Sequence, residues 1–135
     1  MPIIQAIIES DHPPYLGYEG FKVNYASLST KVWASEIVTW LSEWRCFVVQ
    51  SDLVGVQFYD GERQRTLDLD VVHKAIQALG DSPAGYTLDF GVLSTGETAL
   101  VEMNHGYSLD PYGLDPESYL RVLEAFWLSM TSTLG

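Results

Sequence analysis

Cysteine and positive charge are both scarce in this chain. There is one cysteine, Cys46, and there are only seven lysines and arginines against 18 aspartates and glutamates. A single cysteine cannot form an intrachain disulfide, and zinc sites built from several thiolates are excluded. The net charge of −11 and the pI of about 4.4 make phosphate backbones and anionic membrane surfaces poor partners. We therefore expect neither nucleic acid nor a membrane as a partner.

Long apolar runs and the common nucleotide-loop motifs are also missing. No apolar run approaches the roughly 20 residues that a membrane helix needs, and the apolar N-terminus lacks the cationic region of a signal peptide. The sequence has no GxxxxGK[ST], GxGxxG or GxSxG motif. Together with the single cysteine, these absences predict a soluble protein of a reducing, cytoplasmic compartment.

The composition is that of one folded domain. Of the 135 residues, 47% are hydrophobic and 19% are charged, which is enough apolar surface to bury a core. A stretch rich in proline and glycine, SDHPPYLGYEG at 10–20, predicts a loop. We therefore divide the chain into a strand-and-loop segment of uncertain role, 1–30, and a domain over 31–135.

Hydrophobic periodicity within the domain predicts hairpins and two amphipathic helices. Asp68 and Asp115 are natural N-caps for the helices, and Pro116 suits a first helical position. We expect an α+β fold with a mostly antiparallel sheet of about five or six strands and both helices packed on one face. The predicted elements are strands at 1–9, 43–50, 53–59, 85–93 and 98–104, helices at 68–79 and 116–130, and an element at 31–40 that stays ambiguous between helix and strand.

The last predicted hairpin brings two carboxylates together. A symmetric turn at Thr95-Gly96 pairs Asp89 with Glu102, and it puts Thr87 opposite Asn104. Opposed carboxylates lie about 5 Å apart at Cβ and repel each other, and a divalent cation such as Mg²⁺ would remove that repulsion by binding their hard oxygen atoms. The alternative is a solvated polar face without metal, and a bulged turn would change the register altogether.

A second polar pair lies on the strand at 43–50. Glu43 and Arg45 alternate on it and therefore share one face. An arginine held on a strand can bind phosphate through two hydrogen bonds. The alternative is an ordinary cross-strand ion pair.

Five short motifs follow one another between about residues 31 and 127. They are EWR-x-FV at 43–48, YDG at 59–61, DFGV at 89–92, LVE-x-N-x-GYSL at 100–109 and YGL at 112–114. In this order they resemble the C-terminal half of ATP-grasp proteins, in particular the ATP-grasp domain proteins of unknown function.

This resemblance implies ATP and Mg²⁺ as cofactors. In such enzymes ATP phosphorylates a carboxylate, and an amine or thiol then attacks the acyl phosphate. The site residues that it implies are Asp89, Glu102 and Asn104 as Mg²⁺ ligands, Arg45 as the catalytic group on the phosphates, Glu36 and Ile37 beside adenine, and Lys22 as the remnant of a lid lysine.

The chain also departs from the family pattern. A complete ATP-grasp enzyme has a further N-terminal domain and a lid, whereas about 30 residues precede the match here, and His105 stands where an aspartate is common. One hypothesis is therefore a truncated domain that binds Mg-nucleotide as part of a carboxylate–amine ligase, with the lid supplied by a second chain or a second copy. The other is an inactive remnant that acts as a protein-binding or regulatory module. The abundance of aromatic residues predicts a homodimer.

Overall fold

The computed structural model describes residues 37–80 and 84–132. The predicted strand at 1–9 and most of the ambiguous segment at 31–40 lie outside these residues. Both predicted hairpins and both predicted helices are confirmed. The elements are β1 (Trp40–Val49), β2 (Asp52–Gly61), α1 (Leu69–Leu79), β3 (Gly85–Leu93), β4 (Thr98–His105) and α2 (Pro116–Thr131).

The strands form one antiparallel sheet in the order β2-β1-β3-β4. The described residues thus contain four strands, slightly fewer than predicted, and the class is the expected α+β. A two-residue turn at Gln50-Ser51, one residue earlier than predicted, joins β1 to β2. Both of its residues have positive φ, 49° and 73°, because the right-handed twist of a hairpin favours this turn.

The two helices pack on opposite faces of the sheet, which corrects the expectation that both lie on one face. Cys46 of β1 packs with Val72 of α1, whereas its neighbour Phe47 packs with Val122 of α2. Successive strand residues point to opposite faces. The central strand β3 is accordingly buried on both faces, from Gly85 through Val92.

Both helices begin at the predicted caps. The Asp68 carboxylate accepts from the amide of Asp70 at 2.9 Å, and Asp115 accepts from the amide of Ser118 at 2.9 Å. These bonds satisfy amide groups that have no partner within the helix. The hydrogen bonds from Ser118 also hold the pKa of the Asp115 carboxyl below its usual value, because they favour its ionised form.

Candidate functional site

A row of polar side chains crosses the sheet on the face that carries α2. Gln57 on β2 lies opposite Arg45, Arg45 lies opposite Asp89, and Asp89 lies opposite Glu102 on β4. The predicted register of Asp89 with Glu102 is therefore confirmed, as is that of Thr87 with Asn104. Opposed residues on antiparallel strands share a face, so three strands contribute charged groups to one line.

A bulge in β4 lies directly beside this row. Asp89 pairs with Glu102, but the next residue, Phe90, pairs with Leu100, so Val101 has no opposite residue. A register taken from a symmetric turn therefore holds up to the row and is shifted by one residue toward the turn.

The centre of the row is a buried ion pair. The Arg45 Nε and Nη2 atoms donate to the two carboxylate oxygens of Asp89 at 2.8 and 2.7 Å. The side chains of Arg45 and Asp89 are only 8% and 1% exposed. The hydrogen bond with Asp89 raises the pKa of the Arg45 guanidinium above its ordinary value, although burial opposes this. The cross-strand ion pair considered for Arg45 is thus present, with Asp89 as its partner.

The guanidinium still has donors to spare. Its Nη1 atom donates to the backbone carbonyl of Asp110 at 3.3 Å, so three of the five N–H groups of Arg45 are used. One N–H on Nη1 and one on Nη2 meet no acceptor among residues 37–80 and 84–132. Two such donors at the end of a guanidinium fit two oxygens of one phosphate.

Two tyrosines cover the pair. The Cζ atom of Arg45 lies 5.0 Å from the ring centroid of Tyr112 and 5.9 Å from that of Tyr59. The two rings stack on each other with centroids 4.9 Å apart, and the Tyr59 hydroxyl donates to Glu43 at 3.0 Å. Burial, and then the bond to Glu43, raise the pKa of Tyr59 well above its ordinary value, so this hydroxyl remains protonated.

The predicted magnesium ligands differ in their surroundings. Glu102 is exposed and Asn104 is half-buried, and the Asn104 amide nitrogen donates to Glu102 at 2.9 Å. The amide oxygen of Asn104 meets no donor in the described part of the chain. Asp89, in contrast, is buried with both oxygens engaged by Arg45. The oxygens of Glu102 and Asn104 therefore fit a hard cation, and Asp89 is committed to holding the guanidinium.

The other predicted site residues lie away from the row or outside the described residues. Lys22 and Glu36 belong to the second group. Ile37 is 77% exposed and precedes β1, and His105 packs against Phe126 with ring centroids 5.3 Å apart. Within the described ranges, no cluster of three or more His, Cys, Asp or Glu side chains is arranged to hold a metal ion.

Sequence reasoning assigned no role to Tyr59, Asp110 and Tyr112. Tyr59 and Tyr112 each lie in one of the short motifs, YDG and YGL, which is the one signal that could have drawn attention to them. Asp110 contributes a backbone carbonyl, which leaves no mark in the sequence.

A family model described as an ATP-grasp domain, the second family of its clade, matches residues 17–122. The match covers well over half of the chain and includes β1, β2, β3, β4 and α1. The chain therefore belongs to the ATP-grasp domain family. Searches of curated proteins and of solved structures found no match. No helix in the described ranges is long and apolar enough to cross a membrane.

Proposed function

We propose that the α2 face of the sheet binds a nucleoside triphosphate together with Mg²⁺, as part of an ATP-dependent carboxylate–amine ligase site. The observation that carries this proposal is the end of the Arg45 side chain. It is 8% exposed and held on Asp89, and it keeps one unused N–H on each terminal nitrogen. A buried donor without a partner is costly, and a phosphate would satisfy both donors at once.

Each residue of the row has a distinct part in this function. Arg45 binds phosphate oxygens and stabilises negative charge on the transferring phosphoryl group. Asp89 fixes the guanidinium through two hydrogen bonds. Glu102 and Asn104 would hold Mg²⁺, and the cation would neutralise phosphate charge there.

The charge of the protein makes this binding dependent on the cation. Asp89 already neutralises Arg45, and the whole chain carries a net charge of −11. A bare triphosphate would therefore meet a repulsive field. We expect the magnesium complex to bind and the free nucleotide to bind far more weakly.

Thermal unfolding with Mg-ATP tests the proposal, with ATP alone and Mg²⁺ alone measured at equal ionic strength. A ligand present at 100 times its Kd stabilises the folded state by about 2.7 kcal/mol, a shift of several degrees in Tm. The Glu102→Gln variant should lose most of this shift. Glu97→Gln is the matched control, because Glu97 is exposed in the turn of the same hairpin. A full shift in Glu102→Gln would contradict the metal assignment, and no shift at any concentration would contradict nucleotide binding.

The second candidate is an inactive remnant that binds another protein. The observation that favours it is that Arg45 and Asp89 satisfy each other, as in a purely structural ion pair. This function predicts no response to Mg-ATP. In both cases we propose that a second chain or a second copy completes the molecule. Light scattering during size-exclusion chromatography at micromolar concentration tests the homodimer, which a monomer alone would contradict.

A further inference from the structure

The segment between β4 and α2 includes a short strap, residues 109–114, that is fixed at both ends. At its start, the hydroxyl of Tyr119 in α2 donates to the carbonyl oxygen of Leu109 at 2.7 Å. At its end, the buried side chain of Leu114 packs with Phe47 of β1. Within it, the amide of Leu114 donates to the carbonyl of Pro111 at 2.9 Å, which closes a tight turn. The strap is therefore held in place from both sides.

The middle of the strap contacts Arg45 twice. The Asp110 carbonyl accepts from Arg45 Nη1, and the Tyr112 ring lies 5.0 Å from the guanidinium carbon. The Asp110 carboxylate also accepts from the Tyr112 amide at 3.0 Å. Tyr112 has a φ of 48°, a left-handed conformation that is unfavourable for a bulky residue. Such a conformation persists only where its surroundings enforce it, and it is most common at functional sites.

We propose that Tyr112 is a positioning residue for Arg45. The two bonds to Asp89 fix the guanidinium along one edge, but they leave its plane free to tilt about that edge. A ring against the guanidinium opposes this tilt, and the attraction between cation and ring is stronger where water is excluded. The stack with Tyr59, itself bonded to Glu43, holds the ring in turn.

The ligand that benefits is the phosphate of the proposed function, on which this part of the inference rests. With its plane fixed, the guanidinium keeps its two unused N–H groups aimed in one direction. A phosphate then meets a donor pair that is already ordered, so less conformational entropy is lost on binding.

The experiment replaces Tyr112 and observes Arg45 directly. The chain has four arginines, Arg45, Arg63, Arg65 and Arg121, so the side-chain Nε–H signals can be assigned by NMR. We expect Tyr112→Ala to speed hydrogen exchange at the Arg45 Nε–H about tenfold, without nucleotide present. It should also weaken the Kd for Mg-ATP about fivefold to tenfold. Tyr112→Phe keeps the ring and should restore both values.

Tyr107→Ala is the matched control, because Tyr107 lies just before the strap and stacks on Phe126 instead of Arg45. It should change neither value. Should Tyr112→Ala fail to fold, Tyr119→Phe releases the start of the strap and should also speed exchange at Arg45.

Two results would overturn the inference. One is parental exchange at Arg45 in a folded Tyr112→Ala or in Tyr119→Phe. The other is a Tyr112→Phe variant as impaired as Tyr112→Ala. If the parent protein does not bind Mg-ATP, the proposed function fails, but the exchange measurement still decides whether Tyr112 positions Arg45.

Discussion

The hydroxyl of Tyr86 is buried on the α1 face and has no hydrogen-bond partner within the described residues. Burying a polar group without a partner costs free energy, whereas an apolar group of the same shape avoids this cost. We therefore expect Tyr86→Phe to raise the free energy of unfolding by about 1 kcal/mol in urea denaturation. Tyr119→Phe is the control, since it removes a hydroxyl that is bonded to Leu109. A loss of stability in Tyr86→Phe would contradict the assignment.

The thiol of Cys46 makes stability depend on alkaline pH. Burial, with a smaller contribution from the charge of Asp89, raises the pKa of Cys46 to about 12. The unfolded thiol ionises near pH 8.5. Between these values the folded state binds one proton more than the unfolded state. The free energy of unfolding therefore falls as pH rises, by up to about 1.4 kcal/mol per pH unit.

The Cys46→Ala variant isolates this effect. From pH 8 to pH 10, urea denaturation of the parent should show an extra loss of about 1.5–2 kcal/mol that the variant lacks. The buried tyrosines titrate in both proteins and cancel in the comparison. Equal pH dependence in the two proteins would show that this thiol does not control stability in that range.

The site residues differ in how well the sequence predicts them. The pairing of Asp89 with Glu102 is predictable, because a short turn fixes the register of a hairpin locally. The pairing of Arg45 with Asp89 is not, because these residues are 44 apart in sequence and belong to different hairpins. No local signal sets that register. The strap residue Tyr112 is equally hidden, since it reaches the site through tertiary packing.

At the scale of elements, Gly85 lets α2 lie close against β3. A Cβ atom at Gly85 would meet the carbonyl oxygen of Val122 and would come within 2.7 Å of the amide nitrogen of Phe126. Both are backbone atoms of α2, so the helix would have to move as a whole. We expect Gly85→Ala to lower the free energy of unfolding by about 1–3 kcal/mol in urea denaturation.

Gly91→Ala provides the comparison for this prediction. There a Cβ atom would meet the ring of Trp40, a side chain at the start of β1. A side chain can turn aside more easily than a packed helix can shift, so Gly91→Ala should cost less. Equal or greater cost at Gly91 would contradict this account of the helix contact.

The elements themselves were predictable, but the side on which α2 packs was not. Caps and apolar stripes marked both helices, as Asp68 and Asp115 illustrate. Thr87 and Asp89, however, indicated a solvated face on β3, and both are fully buried. The charge of Asp89 tolerates burial because Arg45 neutralises it, and the sequence does not reveal that pairing.

At the scale of the whole molecule, the net charge of −11 acts against folding through self-repulsion. Salt screens this repulsion, and the exposed pair of Arg65 and Glu62 contributes little in the opposite direction. We expect Tm to rise by a few degrees between about 0.05 and 0.5 M NaCl in thermal unfolding. A fall in Tm would show that attractive ion pairs outweigh the net repulsion. This general effect is why Mg²⁺ needs a control at equal ionic strength.

The sheet consists of two hairpins joined along a single seam, the pairing of β1 with β3. Each hairpin closes through a short turn, and such local closure takes microseconds. The seam joins strands that are far apart in sequence, and closing that long loop is the slower event. Since Arg45 and Asp89 lie on opposite sides of the seam, we expect their ion pair to form only in the last stage of folding. The site would then be absent from every partly folded form of the chain in which the two hairpins remain apart.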